Sequence, residues 1–153
     1  MRKVGVVGGG LMGSGIAEVS ARAGLDVIVV ESTDAAADAA KGRLTKSLER
    51  AEAKGKIDSA SAVLDLIRVV TDLEDLADRD LVIEAIVEDE EAKTELFKKL
   101  DAIVTSPDAI LASNTSSIPI MKLGVVTSRP DKVLGIHFFN PVPVLKLVEL
   151  APS

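Results

Sequence analysis

The chain contains no cysteine, no tryptophan and no tyrosine, and only one histidine. Without cysteine there is no disulfide and no thiolate metal site. One histidine and scattered carboxylates make no recognisable ligand set, so no metal is expected. Positive charge is also short: 18 Lys and Arg stand against 24 Asp and Glu, a net charge of −6. That balance argues against a nucleic-acid partner, for which a basic patch is expected. No apolar run reaches the ~18 residues of a membrane span. No leader precedes the first apolar run, since Met1-Arg2-Lys3 leads straight into Val4-Gly5-Val6-Val7. The expectation is a soluble, cytoplasmic protein without a membrane partner.

What is present is a long series of short aliphatic runs. Apolar residues make up 47% of the 153 residues. That length suggests one domain, 1–153, able to bury roughly 70% of its unfolded surface. Residues 3–7, 26–30, 67–70, 81–86, 109–112 and 133–138 read as buried strands, and 145–150 as a seventh. Residues 11–23, 34–54 and 89–104 carry apolar stripes at helical spacing, with Gly24 suited to close the first. Asp58 or Ser59 is suited to cap a further short helix. Strands apolar on both faces, alternating with helices, predict an α/β fold: a Rossmann-type, doubly wound, mainly parallel sheet.

Glycine is concentrated at one place. VGVVGGGLMGSGIA holds Gly8, Gly9, Gly10, Gly13 and Gly15 where a strand gives way to a helix. Each costs about 0.5–1 kcal/mol of helix or strand stability against alanine, so bare backbone is needed there. Gly8-x-Gly10-x-x-Gly13 in that context is the dinucleotide fingerprint. One glycine makes the turn, one lets a pyrophosphate approach, and one lets helix and strand pack. Leu11 and Met12 complete the turn, and the helix start offers N–H groups to phosphate. Glu31 ends the second strand, where a carboxylate accepts from ribose hydroxyls and repels a 2′-phosphate. Ser32-Thr33-Asp34 supplies no arginine for that phosphate, so NAD is favoured over NADP. A purely structural glycine turn with an incidental acid is the alternative at this point.

Three later segments place polar residues at strand ends, where ligands of open parallel sheets sit. They are Glu84-Ala-Ile-Val-Glu88 with Lys93 after it, Ser113-Asn114-Thr115-Ser116-Ser117, and His137-Phe-Phe-Asn140-Pro141 with Glu149 beyond. Imidazole suits a general base near neutral pH, and Glu149 is placed to orient His137. Ser116 lacks a Gly-x-Ser-x-Gly elbow, so a hydroxyl that hydrogen-bonds substrate fits better than a nucleophile. The 113–117 stretch also reads as an N-cap for a helix starting at Ile118.

VGVVGGGLMGSGIA, VIEAIVED, LASNTSSIPI and GIHFFNPVPVLKLVEL together resemble the NAD-binding domain of the L-3-hydroxyacyl-CoA dehydrogenases, especially the bacterial 3-hydroxybutyryl-CoA branch. The resemblance implies hydride transfer between NAD and C3 of a 3-hydroxyacyl-CoA, in fatty-acid or butanoate metabolism. It implies His137 as the base, Glu149 as its paired carboxylate, and Ser116 as the serine on the substrate oxygen near the nicotinamide. It places Asn140 at the cofactor and catalytic site, and Glu88, Lys93 and Asn114 near the nicotinamide ribose and pyrophosphate. It puts Ser47 and Lys54 on the CoA moiety. Family members are about twice as long and carry a second, all-helical domain that closes over substrate and makes the homo-oligomer. That domain is missing here, so little activity is expected of these 153 residues alone. Two other readings stay open: a non-catalytic NAD-binding module, and a dehydrogenase of another hydroxy acid.

Overall fold

The computed structural model describes residues 2–138 and 148–152, the last five by their backbone alone. Seven strands form one sheet: β1 (Lys3–Val7), β2 (Asp26–Val30), β3 (Ile67–Val70), β4 (Leu81–Glu84), β5 (Ile110–Ser113), β6 (Val133–Phe138) and β7 (Val148–Pro152). Their order is β3-β2-β1-β4-β5-β6-β7. The first six run parallel, and β7 returns antiparallel to β6. Five helices accompany them: α1 (Leu11–Arg22), α2 (Asp34–Ala53), α3 (Ala60–Leu64), α4 (Glu90–Ile103) and α5 (Ile120–Gly124). None of the described helices is long and apolar enough to cross a membrane.

Strand periodicity builds two cores. Val27 and Val29 of β2 join Val4, Val6, Ile16, Ala17 and Leu44 on the α1–α2 face. Ile28 and Val30, one residue out of step, join Val7, Val82, Leu96, Phe97 and Leu100 on the α4 face. Alternate residues of a strand face opposite sides, so a continuous valine–isoleucine run feeds both layers. α2 buries Ala37, Ala40, Leu44, Leu48 and Ala51, one stripe at steps of three and four. Thr33 starts this helix by accepting from the Ala36 amide at 3.1 Å. Ser59 caps α3 in the same way. Gly24 closes α1 at φ +88°.

The chain enters at β1, winds outward through β2 and β3, then crosses back to β4 on the other side. The winding therefore reverses between β1 and β4, and a crevice opens beyond their carboxyl ends. Two expectations need correction. The strand read as 81–86 stops at Glu84, because Glu84 turns its own carboxylate onto the Ile86 amide at 2.9 Å. The 113–117 stretch caps no helix at Ile118. α5 starts at Ile120 after Pro119, and the Thr115 hydroxyl instead accepts from the Ser117 and Ile118 amides.

Candidate functional site

The glycine turn joins β1 to α1 at that crevice. Gly8 has φ +97°, a left-handed conformation that favours glycine. A Cβ on Gly13 would lie 1.7 Å from the Gly8 carbonyl oxygen, so helix and turn touch through bare backbone. A Cβ on Gly9 would meet the Ala40 side chain at 2.7 Å. A Cβ on Gly10 would meet nothing within 4 Å. Of Gly8, Gly9, Gly10 and Gly13, only Gly10 has open space in its Cβ direction, at the amino end of α1. That is the shape a pyrophosphate requires, so the residues present fit the dinucleotide.

Around the turn, Glu31 accepts the Gly9 amide at 2.8 Å, and the Ser14 hydroxyl donates to the Gly9 carbonyl at 2.7 Å. Arg43 of α2 also donates to that carbonyl, at 2.7 Å. Sequence reading missed Arg43, because it reaches the turn from 34 positions away. Leu11 is exposed beside the turn, and Met12 packs on the α1–α2 core.

Beyond β4 and β5 lies a second assembly. Glu84 and Ser113 are register partners, and the Ser113 hydroxyl donates to the Glu84 carboxylate. Lys93 of α4 reaches both Glu84, at 3.0 Å, and Glu88, at 2.6 Å. Glu88 gathers the 115–117 turn: it accepts the Thr115 hydroxyl at 2.9 Å, the Ser116 amide at 3.1 Å and hydroxyl at 3.4 Å, and the Ser117 hydroxyl at 3.0 Å. Burial alone would raise its carboxyl, but hydrogen bonds from Lys93, Thr115, Ser116 and Ser117 outweigh burial and hold it at about 2.

That depression has a pH signature. The folded pKa lies below the ordinary 4.5, so these bonds stabilise the fold above that value and are lost as pH falls towards 2. Tm should drop between pH 5 and 3, and drop less in Glu88→Gln across the same interval. Parallel curves for the two proteins would contradict the assignment.

Asn114 ties this turn to the next strand. Its amide donates to the Glu84 carbonyl at 3.0 Å, and its side-chain oxygen accepts the Phe138 amide at 3.1 Å. His137 is the residue before Phe138, half-buried near the carboxyl end of β6, and the antiparallel register puts Glu149 opposite it. The Glu149 side chain and all of Asn140 lie outside the described residues. The crevice thus brings Gly8, Gly10, Gly13, Glu31, Glu88, Lys93, Asn114, Ser116 and His137 to one edge of the sheet.

Ser47 and Lys54 lie elsewhere. Both line a cavity of about 350 Å³ between α1 and α2, together with Arg22, Arg43, Lys46, Arg50 and Lys56. Glu18 lines it too and pairs with Arg22 at 3.3 Å, which leaves five further cations as a local positive field that the net charge of −6 conceals. Leu11 and Ser14 also line it, so the groove runs up to the glycine turn.

Residues 3–153 match the family model described as 3-hydroxyacyl-CoA dehydrogenase, NAD binding domain. A 3-hydroxybutyryl-CoA dehydrogenase of Mycobacterium tuberculosis is 60% identical over 152 residues, covering 98% of this chain and 53% of the relative. The solved structure of M. tuberculosis FadB2 superposes with a TM-score of 0.95 at 60% identity, covering 98% of this chain and 53% of that one. The (S)-3-hydroxybutyryl-CoA dehydrogenase PaaH1 of Ralstonia eutropha superposes at 0.93 with 45% identity and the same coverage. The chain spans about half the length of these relatives.

Proposed function

The chain belongs to the 3-hydroxyacyl-CoA dehydrogenase family, as its NAD-binding domain, and from that premise we propose that it takes part in reversible oxidation of a 3-hydroxyacyl-CoA, with 3-hydroxybutyryl-CoA and acetoacetyl-CoA as the substrate pair. The observation that carries this reading is the gathering of Ser116, Asn114 and His137 at the ends of neighbouring β5 and β6, on the edge that also bears the glycine turn.

Bound NAD supplies the acceptor for the hydride that leaves C3. A ring nitrogen of His137 takes the proton of the 3-hydroxyl, and returns it to the oxygen in the reverse direction. Glu149, opposite in register, orients the ring and stabilises the imidazolium. The Ser116 hydroxyl hydrogen-bonds the substrate oxygen, while Glu88 keeps the turn that carries it in place. Asn140 belongs to the same site by family pattern. Gly8, Gly10, Leu11, Met12 and Gly13 receive the pyrophosphate, and Glu31 the adenosine ribose.

The cationic groove at Ser47 and Lys54 supports a CoA thioester over a free acid. Its charges suit the phosphates of the CoA nucleotide, and binding energy so far from C3 positions the reacting carbon. The relatives' greater length suggests that a further domain closes over this edge and makes the contact between copies.

The test compares NADH oxidation with acetoacetyl-CoA and with free acetoacetate, catalysed by a fusion of the chain to the remaining half of the M. tuberculosis relative, since the chain spans about half of that relative. Only the thioester should turn over, and Lys54→Glu should raise its KM by ~10-fold, the size of one lost or reversed phosphate contact, with NADH affinity unchanged. Equal use of the free acid would indicate a dehydrogenase of another hydroxy acid. NADH binding with no oxidation by any thioester would leave a nucleotide-binding module.

A further inference from the structure

Lys93 sits where two rules disfavour it. It lies one turn into α4, near the positive end of the helix dipole, and its side chain is only 2% exposed. Two carboxylates offset that placement, and they are not equivalent. Glu88 is partly open to solvent and holds the 115–117 turn directly. Glu84 is 0% exposed. Its oxygens are engaged by the Lys93 ammonium, the Ser113 hydroxyl and the Ile86 amide, all of them within the protein.

Both side-chain contacts of Glu84 lead to the same place. Through Lys93 it reaches Glu88, and through Glu88 the Ser116 amide and hydroxyl. Through Ser113, whose hydroxyl oxygen accepts the Thr115 amide at 3.1 Å, it reaches the start of the same turn. Glu84 also marks the reversal point of the sheet, since it is the register partner of both Val7 and Ser113. We propose that Glu84 is a positioning residue: its buried carboxylate pins Lys93 from beneath and thereby fixes Glu88 and the Ser116 turn at the edge where the dinucleotide binds. This rests on the cofactor site described above.

A plain structural ion pair and a positioning anchor differ in what charge-matched replacement restores. Removing one partner of a buried pair is strongly destabilising, whereas neutralising both is often nearly neutral. NADH affinity is therefore measured with Tm for the unmutated chain, Glu84→Gln, Lys93→Met and the double variant, each well below its own Tm. Glu84→Gln should weaken NADH binding at least ~10-fold through its coupling to Lys93. The double variant should recover Tm towards that of the unmutated chain yet bind NADH no better, and no worse, than Lys93→Met alone. If Glu84→Gln does not fold, Glu84→Asp takes its place: it keeps the charge but draws the carboxylate back from Lys93, so NADH affinity should still fall, and unchanged affinity would overturn the proposal. Unchanged affinity in Glu84→Gln, additive losses in the double variant, or affinity that returns with Tm would each overturn the proposal. An unmutated chain that fails to bind NADH would remove the cofactor reading first, and the anchor with it.

Discussion

Replacing His137 with glutamine is expected to cut acetoacetyl-CoA-dependent NADH oxidation by at least ~10²-fold, the low end for general acid–base catalysis, with NADH affinity unchanged. Glutamine keeps a polar side chain of similar reach but cannot accept and return a proton at working pH. The backbone of the site should survive, because Asn114 binds the neighbouring Phe138 amide rather than the imidazole. The β6–β7 pairing that places Glu149 opposite is likewise made by backbone. The loss should therefore fall on kcat. The chain spans about half of its relatives' length, so the assay is run on the chain and on a fusion to the remaining half of the M. tuberculosis relative. Near-normal turnover in the mutant fusion would remove His137 from its role.

The second large effect is expected at the glycine turn, where two alanine substitutions should part company. Gly13→Ala puts a methyl group 1.7 Å from the Gly8 carbonyl oxygen and 2.8 Å from its carbon. Neither atom belongs to a flexible side chain, so α1 must move away from β1. Both Tm and NADH binding should fall, the latter by ~100-fold or more, since each well-aligned amide-to-phosphate bond lost is worth about 1.5–3 kcal/mol. Gly10→Ala meets nothing within 4 Å, and Gly10 has an ordinary φ of −68°. Its Tm should match the unmutated chain, yet its methyl group enters the space left for the pyrophosphate and should weaken NADH binding. Equal behaviour of the two variants in both measurements would contradict the roles assigned to them.

Much of this arrangement is legible in the sequence, for physical reasons that differ between elements. The aliphatic runs at β1 and β2 are unambiguous, because a strand buried on both faces tolerates almost nothing else. The glycine fingerprint is readable because backbone contact demands it over a span of six residues. Local signals fail where the fold brings distant residues together. Arg43 lies within a charged, alanine-rich helix, and nothing nearby hints that it reaches Gly9. Glu84 reads only as one of several polar residues at a strand end, and nothing nearby shows that Lys93 and Ser113 enclose it. The cations of the α1–α2 groove are scattered from Arg22 to Lys56 and are masked by the acidic total. The 113–117 stretch misleads for a different reason. Serines and threonines satisfy turns and helix starts equally well, and here Thr115 serves the turn while Pro119 opens the helix.

The ends of β1, β4, β5 and β6 are expected to serve one ligand. The most direct test is an amide-resolved NMR titration of the chain with NADH. Gly8 to Gly13, Glu31, Glu88, Asn114 to Ser116 and His137 should shift together along one saturable curve. Shifts confined to the glycine turn, with the Ser116 and His137 amides unmoved at saturation, would contradict it.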